Sequence, residues 1–340
     1  MQYSTFAAID IGSYDVILEI FEISKKQGIR SVDKICHRME LGKDTYTLGK
    51  IRPEMEEELC RVLADFVRIM EGYRVDDYRA TASSAISEAS NSLYVLGKIH
   101  QLTGLSVTVL SNSEQRFLSY KALAAMEDNF NKIIEKGTAI LDLDGGSFQI
   151  SLFDKDALVT TQNIRMGSLR IRERLAGIQS ETEHYEEMVE ELIWNEVSSF
   201  KKMYLKDRKI ENIMLIGDVF TDSVYQNIEE KTTKIISREN FNTWYEKIIR
   251  QSPMELAVKL GIPLENASLM YPSAVIYKCL IDMMGAEHIW IPGVHMTRGI
   301  AYEYAEQMKL LKGGHNFEND ILMAAKNIGK RYAVNRPHCL

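Results

Sequence analysis

Two stretches of the sequence end an apolar run on an aspartate and follow it with a glycine turn. They are Ile9-Asp10-Ile11-Gly12-Ser13 and Leu141-Asp142-Leu143-Asp144-Gly145-Gly146-Ser147. A glycine turn can aim several backbone N–H groups at one point, making a small anion nest. An aspartate beside it can hold a hydrated divalent cation against that anion. Two such turns facing each other would clamp a phosphate chain. Either turn alone reads equally as an ordinary hairpin; their repetition at matching places favours the phosphate reading. Three more stretches fit around them. At Thr81-Ala82-Ser83-Ser84 a strand meets a helix, where free N–H groups bind anions or a serine simply caps the helix. Ser111 and Glu114, with Asn112 and Gln115, have the spacing of a helix-starting capping box. Gly167 opens a helix near Arg165, Arg170, Arg172 and Arg174, which either solvate a helix face or point at an anion.

The elements needed to position these residues are readable from the hydrophobic pattern. Extended runs at 6–10, 16–23 and 30–41 predict an antiparallel meander, followed by a helix over 53–72. Strand 78–82, helix 85–103, strand 106–110 and helix 113–126 complete an alternating half. The order then restarts with strands at 138–142, 147–153 and 158–164, helices at 169–176 and 183–202, and a strand at 213–216. The remainder reads as helical, with a short strand at 289–291 and an amphipathic tail helix over 316–332. Internal duplication is the main architectural signal. It predicts one lobe over 1–128, a second over 129–310 and a tail over 311–340.

The chain has 340 residues, 45% of them hydrophobic and 26% charged, with a formal net charge of −7. That balance suits two globular domains and excludes a disordered chain. An acidic surplus disfavours DNA binding, since each phosphate contact needs a cation. Cys36, Cys60, Cys279 and Cys339 are scattered, which predicts reduced thiols and no zinc site. No stretch approaches the roughly 20 apolar residues of a membrane span, and Met1–Phe6 shows no signal-peptide pattern. The expected location is therefore the cytoplasm, and base rates favour a homodimer. There is no P-loop, dinucleotide fingerprint, nucleophile elbow or H-E-x-x-H.

Taken together and in order, these stretches resemble the exopolyphosphatase / guanosine pentaphosphate phosphohydrolase family. AAIDIGS at 7–13 is similar to its first phosphate turn, ASSAISEASN at 82–91 to its A-T-S-A-x-R-x-A-x-N segment, DLDGGSFQ at 142–149 to its D-x-G-G-G-S-x-E turn, and MGSLRIRER at 166–174 to its L-G-x-V-R-x-x-E-R segment. The resemblance implies an α/β fold of two ribonuclease-H-like (actin-like ATPase) lobes with a central cleft. It also implies magnesium and hydrolysis of a terminal phosphate from polyphosphate or guanosine pentaphosphate. Carried over residue by residue, Asp10 and Asp142 would hold the metal. Gly12, Ser13, Ser84, Gly145, Gly146, Ser147, Gly167 and Arg170 would contact phosphates. Gln115 and Gln149 would orient water, and Asp144 would substitute as a base. The sequence departs from the family at the chemical centre. Gln115 and Gln149 stand where the family has glutamates, Ser87 where it has an arginine, and Tyr14 where it has an asparagine. A carboxylate can take a proton from water and an amide cannot, so an alternative is a homologue that binds phosphate chains or nucleotides without turnover. A sugar or acyl kinase of the same fold is a third reading, which needs an adenosine pocket that Gly217-Asp218 does not obviously make.

Overall fold

Long β-branched and aromatic runs open each half of the chain, and they form strands buried on both faces. The structure, a computed structural model, describes residues 3–126, 130–155, 157–176, 185–205, 208–227, 235–311 and positions 319, 322, 323, 325, 326 and 329. The first half comprises β1 (Ser4–Ile11), β2 (Asp15–Ser24), β3 (Gly28–Arg38), α1 (Leu41–Leu48), α2 (Pro53–Tyr73), β4 (Asp77–Ala82), α3 (Ser84–Ser87), α4 (Ser92–Thr103), β5 (Val107–Val109) and α5 (Asn112–Met126). The second comprises α6 (Phe130–Ile134), β6 (Thr138–Leu143), β7 (Phe148–Asp154), β8 (Ala157–Ile164), α7 (Ser168–Leu175), α8 (Tyr185–Phe200) with a π-turn at Lys201–Leu205, β9 (Asn212–Ile216), α9 (Val219–Asn227), β10 (Ile235–Ser237), α10 (Arg238–Ile249), α11 (Pro253–Leu260), α12 (Leu264–Met284), β11 (His288–Trp290) and α13 (Met296–Gln307).

The duplication is visible in the sheets. One has the order β3-β2-β1-β4-β5; the other, read from its far edge, runs β8-β7-β6-β9-β11-β10. In each, three antiparallel strands lead into strands parallel to the first, β4 and β5 in one and β9 and β11 in the other. Edge strand β10 has no counterpart and pairs antiparallel with β11.

Helix α5 joins the two sheets. Its Leu118 packs with Phe6 and Ala8 of β1 and with Ile300 and Ala301 of α13. Two residues further, Tyr120 packs with Ile140, Phe153 and Ile216 of the second sheet. The start of α5 is thereby fixed between the sheets. Helix α13 lies late in the sequence but packs on the first sheet: Tyr304 stacks on Phe6 at 4.1 Å, and Thr297 Oγ1 donates to the buried Glu19 at 2.5 Å.

Several expected elements differ. The extended run expected over 30–41 ends at Arg38, where Met39 N–H bonds Tyr14 C=O and the chain turns into α1. The helix expected over 85–103 is broken into α3 and α4. Between them the Asn91 side chain accepts from Ile51 N–H at 3.0 Å and donates to Ile51 C=O at 2.8 Å, which ties the break to the segment before α2. Most of the tail helix expected over 316–332 lies outside the described residues.

Candidate active site

Strand register decides where the two aspartates stand. Asp10 closes β1 opposite Ile17 of β2 and Thr81 of β4. Asp142 occupies the equivalent place on β6, opposite Gln149 of β7 and Ile216 of β9. Each glycine turn is closed by one backbone bond, Gly12 N–H to Asp15 C=O in the first and Asp144 N–H to Ser147 C=O in the second, both 2.9 Å. The turns meet: Ser13 Oγ donates to Asp144 Oδ2 at 3.4 Å. Between the sheets lies a cleft of about 270 Å³. Asp10, Asp142, Asp144, Gln115 and Gln149 all line it, with Gly12 and Ser147.

The cleft concentrates negative charge. Burial, then the carboxylates of Asp15, Asp144 and Asp142, hold Asp10 well above the usual carboxylate range. Burial pushes Asp144 up to about 7 despite the Gly145 N–H it accepts, with Asp15 and Asp142 adding to the rise. Asp142 is pushed up to about 6 by burial, and Ser119 opposes the shift. Ser119 lies one helical turn after Gln115 on α5 and donates to Asp142 Oδ2 at 2.5 Å. Gln115 donates to Leu110 C=O at 3.3 Å. Gln149 is only 5% exposed, and among the described residues its buried Oε1 has no hydrogen-bond partner, which leaves it free to meet a water or ligand in the cleft. The floor is set by Gly217, at φ 102°. A side chain there would stand 2.6 Å from Asp142 Oδ1 and from Leu143 C=O, so the turn after β9 reaches the carboxylate only as glycine.

Six of the expected phosphate contacts sit behind the cleft wall. Tyr46 of α1 fills the space at the back of the second turn. Its hydroxyl bonds Ser13 Oγ and Ser84 Oγ, both at 2.8 Å. A Cβ on Gly146 would fall 2.1 Å from that hydroxyl. Arg170 lies over the Tyr46 ring at 3.8 Å, donates to Gly146 C=O at 2.8 Å and pairs with Glu88 at 2.9 Å. Gly145 packs against Ser13, and Gly167 against the Asp144–Gly145 backbone. The arginines around Gly167 do point at anions, but those anions are the protein's own carboxylates: Arg165 and Arg170 reach Glu88, and Arg172 reaches Glu40 at 2.7 Å and Glu173 at 2.6 Å. Tyr46 was beyond sequence reasoning, because the run before it read as extended. Asp15, Ser119, Asp222 and His295 also enter the cleft unforeseen. Only Asp15, five residues after Asp10 and next to the same turn, carried a local signal.

Among the described residues no group of three or more His, Cys, Asp or Glu side chains forms a ready-made metal cage. Magnesium does not need one, since it keeps waters and takes one or two carboxylates plus phosphate oxygens. The crowded carboxylates of Asp10, Asp142 and Asp144 fit that donor set. No helix among the described residues is long and apolar enough to cross a membrane.

The model of the Ppx/GppA phosphatase family matches residues 19–308. Among curated proteins, a bifunctional 3-dehydroquinate synthase/phosphatase of Fusobacterium nucleatum is 21% identical over 310 residues, covering 83% of this chain and 44% of that protein. Exopolyphosphatase 1 of Mycobacterium leprae is 25% identical over 144 residues, 42% of this chain and 41% of its own. The chain thus spans less than half the length of these relatives. Two crystal structures share the fold. An exopolyphosphatase from Cytophaga hutchinsonii superposes with a TM-score of 0.80 at 17% identity, over 89% of this chain and 98% of the other. The Aquifex aeolicus Ppx/GppA family member gives 0.73 at 17%, over 90% and 99%. The architecture is the two-lobed actin-like ATPase fold.

Proposed function

This chain belongs to the Ppx/GppA phosphatase family, and from that premise we propose that it hydrolyses a terminal phosphoanhydride bond of inorganic polyphosphate or guanosine pentaphosphate, with magnesium. One observation supports the reading most: two turns from separate sheets bring Asp10, Asp142, Asp144, Gln115 and Gln149 to one cleft. Asp142, with Asp10, would hold the ion. When bound, magnesium would neutralise phosphate charge and keep the leaving chain in line. The protein's own part is positioning. Gly12 and Ser147 present the turns to the phosphates. Gln115 and Gln149 orient the attacking water through their amides, a role an amide can fill because phosphoryl transfer depends mainly on placement and charge neutralisation. Asp144, held near 7 by its surroundings, accepts the water's proton late in the transfer. The arginine pairs with Glu88 and Glu40 tie α7 to the first half of the chain behind the cleft wall.

Amides at 115 and 149 favour a second reading, a homologue that binds phosphate chains without turning them over. Phosphate release from long-chain polyphosphate and from guanosine pentaphosphate, with magnesium and with a chelator, separates the two. The hydrolase reading expects magnesium-dependent release by the wild type. It also expects a gain of about 10²-fold in the Gln115→Glu/Gln149→Glu variant, the lower end of what a placed acid–base group contributes. Release from neither substrate by the wild type, with turnover appearing only in that variant, would establish the binding reading.

A further inference from the structure

Helix α5 runs between the two sheets, with Leu118 packed on the first and Tyr120 on the second. Ser119, between those anchors, is buried and lines the cleft. A serine in a helix can turn its hydroxyl back onto the carbonyl one turn earlier. That of Ser119 instead donates to Asp142 Oδ2 at 2.5 Å, the short separation of a hydrogen bond to a carboxylate. Gln115, one turn earlier on the same helix, bonds Leu110 C=O. Among the described residues, Ser119 is the side chain that hydrogen-bonds Asp142.

The Asp142 carboxylate is thereby held from two sides. A Cβ on Gly217 would come within 2.6 Å of Oδ1, so the turn after β9 backs one oxygen. Ser119 takes one lone-pair site of the other oxygen and leaves the second open. An aspartate carboxylate otherwise rotates in a broad well. Magnesium demands near-ideal octahedral geometry, and a ligand that must first be immobilised binds more weakly than one already oriented. A hydroxyl suits this task because it has no charge: it orients the carboxylate without competing for the site, as a lysine or arginine would. The neighbouring strand offers Asp142 only the amide of Gln149.

We propose that Ser119 is a positioning residue for the cation: acting through Asp142, it sets how tightly the cleft holds a divalent ion, without touching the reacting phosphate. This rests on the phosphohydrolase reading for what the ion does, but its own claim concerns cation binding. The test uses the full chain as wild type, Ser119→Ala and Ser119→Thr. Manganese(II), a paramagnetic ion that suits the same oxygen ligands as magnesium, is titrated alone and followed by electron paramagnetic resonance. Phosphate release from inorganic tripolyphosphate is then measured over a range of magnesium concentrations. Ser119→Ala removes one oxygen and no carbon, so the fold is kept, as circular dichroism in chelator checks. Ser119→Ala is expected to weaken manganese binding about tenfold, the lower end for an outer partner of a metal ligand. It should raise the magnesium concentration for half-maximal release by the same factor, with kcat and tripolyphosphate KM at saturating magnesium unchanged. Ser119→Thr keeps the hydroxyl and should restore the wild-type values. Unchanged manganese affinity in Ser119→Ala, equal losses in both variants, a fall in kcat that saturating magnesium does not recover, or no manganese binding by the wild type would each overturn the proposal. A tenfold loss of manganese affinity in a chain that releases no phosphate would contradict the hydrolase reading and leave this one standing.

Discussion

Asp10 and Asp142 close equivalent strands of two sheets with one topology, yet their carboxylates are held differently. Asp142 receives a short hydrogen bond of 2.5 Å from Ser119 and stands opposite Gln149 on the neighbouring strand. Among the described residues the Asp10 carboxylate has only Thr81 Oγ1, at 3.5 Å, the limit of a hydrogen bond, and it is crowded by Asp15 and Asp144. Fold repetition therefore supplies two similar turns, and the helix between the sheets makes them unequal. Helix α5 brings Ser119 to the second turn's Asp142 and has no such contact with Asp10 among the described residues. The second turn holds its strand-end carboxylate by a short hydrogen bond, while the first turn's is crowded by neighbouring carboxylates that push it toward its neutral form.

That inequality can be broken most sharply by truncation. Asp142→Ala should lower magnesium-dependent phosphate release by about 10³-fold, the scale for losing a group that stabilises transferring charge. Asp10→Ala should cost less, about 10–100-fold, because its carboxylate lacks an orienting hydrogen bond like that of Ser119 to Asp142. Equal losses would mean that Ser119 gives the second turn no special standing. Gly217→Ala is the next largest. Its Cβ would meet Asp142 Oδ1 and strain a positive φ, so we expect a loss of about 2–3 kcal/mol in chemical denaturation together with loss of activity. Full stability with full activity would show that the turn after β9 does not set Asp142.

Asp144 sharpens the comparison through pH. Its carboxyl sits near 7 in the folded chain against 3.8 otherwise, so folding retains a proton that the unfolded chain releases. Stability from this group is fully present below pH 3.8 and is lost as pH rises through about 7. In chelator at pH 8, Asp144→Asn should therefore raise stability by up to about 4 kcal/mol, at about 1.4 kcal/mol per pH unit. The gain should vanish at pH 4. A variant no more stable than wild type at pH 8 would show that the carboxylates are not crowded.

Much of this was legible in the sequence because it is local. Both aspartate–glycine turns announce themselves in five to seven residues, and the repeated strand order follows from hydrophobic runs on either side. What stayed hidden is contact between distant segments. Nothing near Tyr46 says that it will fill the back of a turn a hundred residues later. The arginines around Gly167 read either as solvating a helix face or as pointing at an anion, and only the fold reveals Glu88 beside Arg170 and Glu40 beside Arg172.

The central claim is that the two turns serve one bound anion and not two sites. The most direct test is a double-mutant cycle on phosphate release with magnesium, using Asp10→Asn, Asp142→Asn and the pair. A shared centre predicts strong non-additivity, the double variant being scarcely slower than Asp142→Asn alone. Losses that multiply as if independent would contradict it.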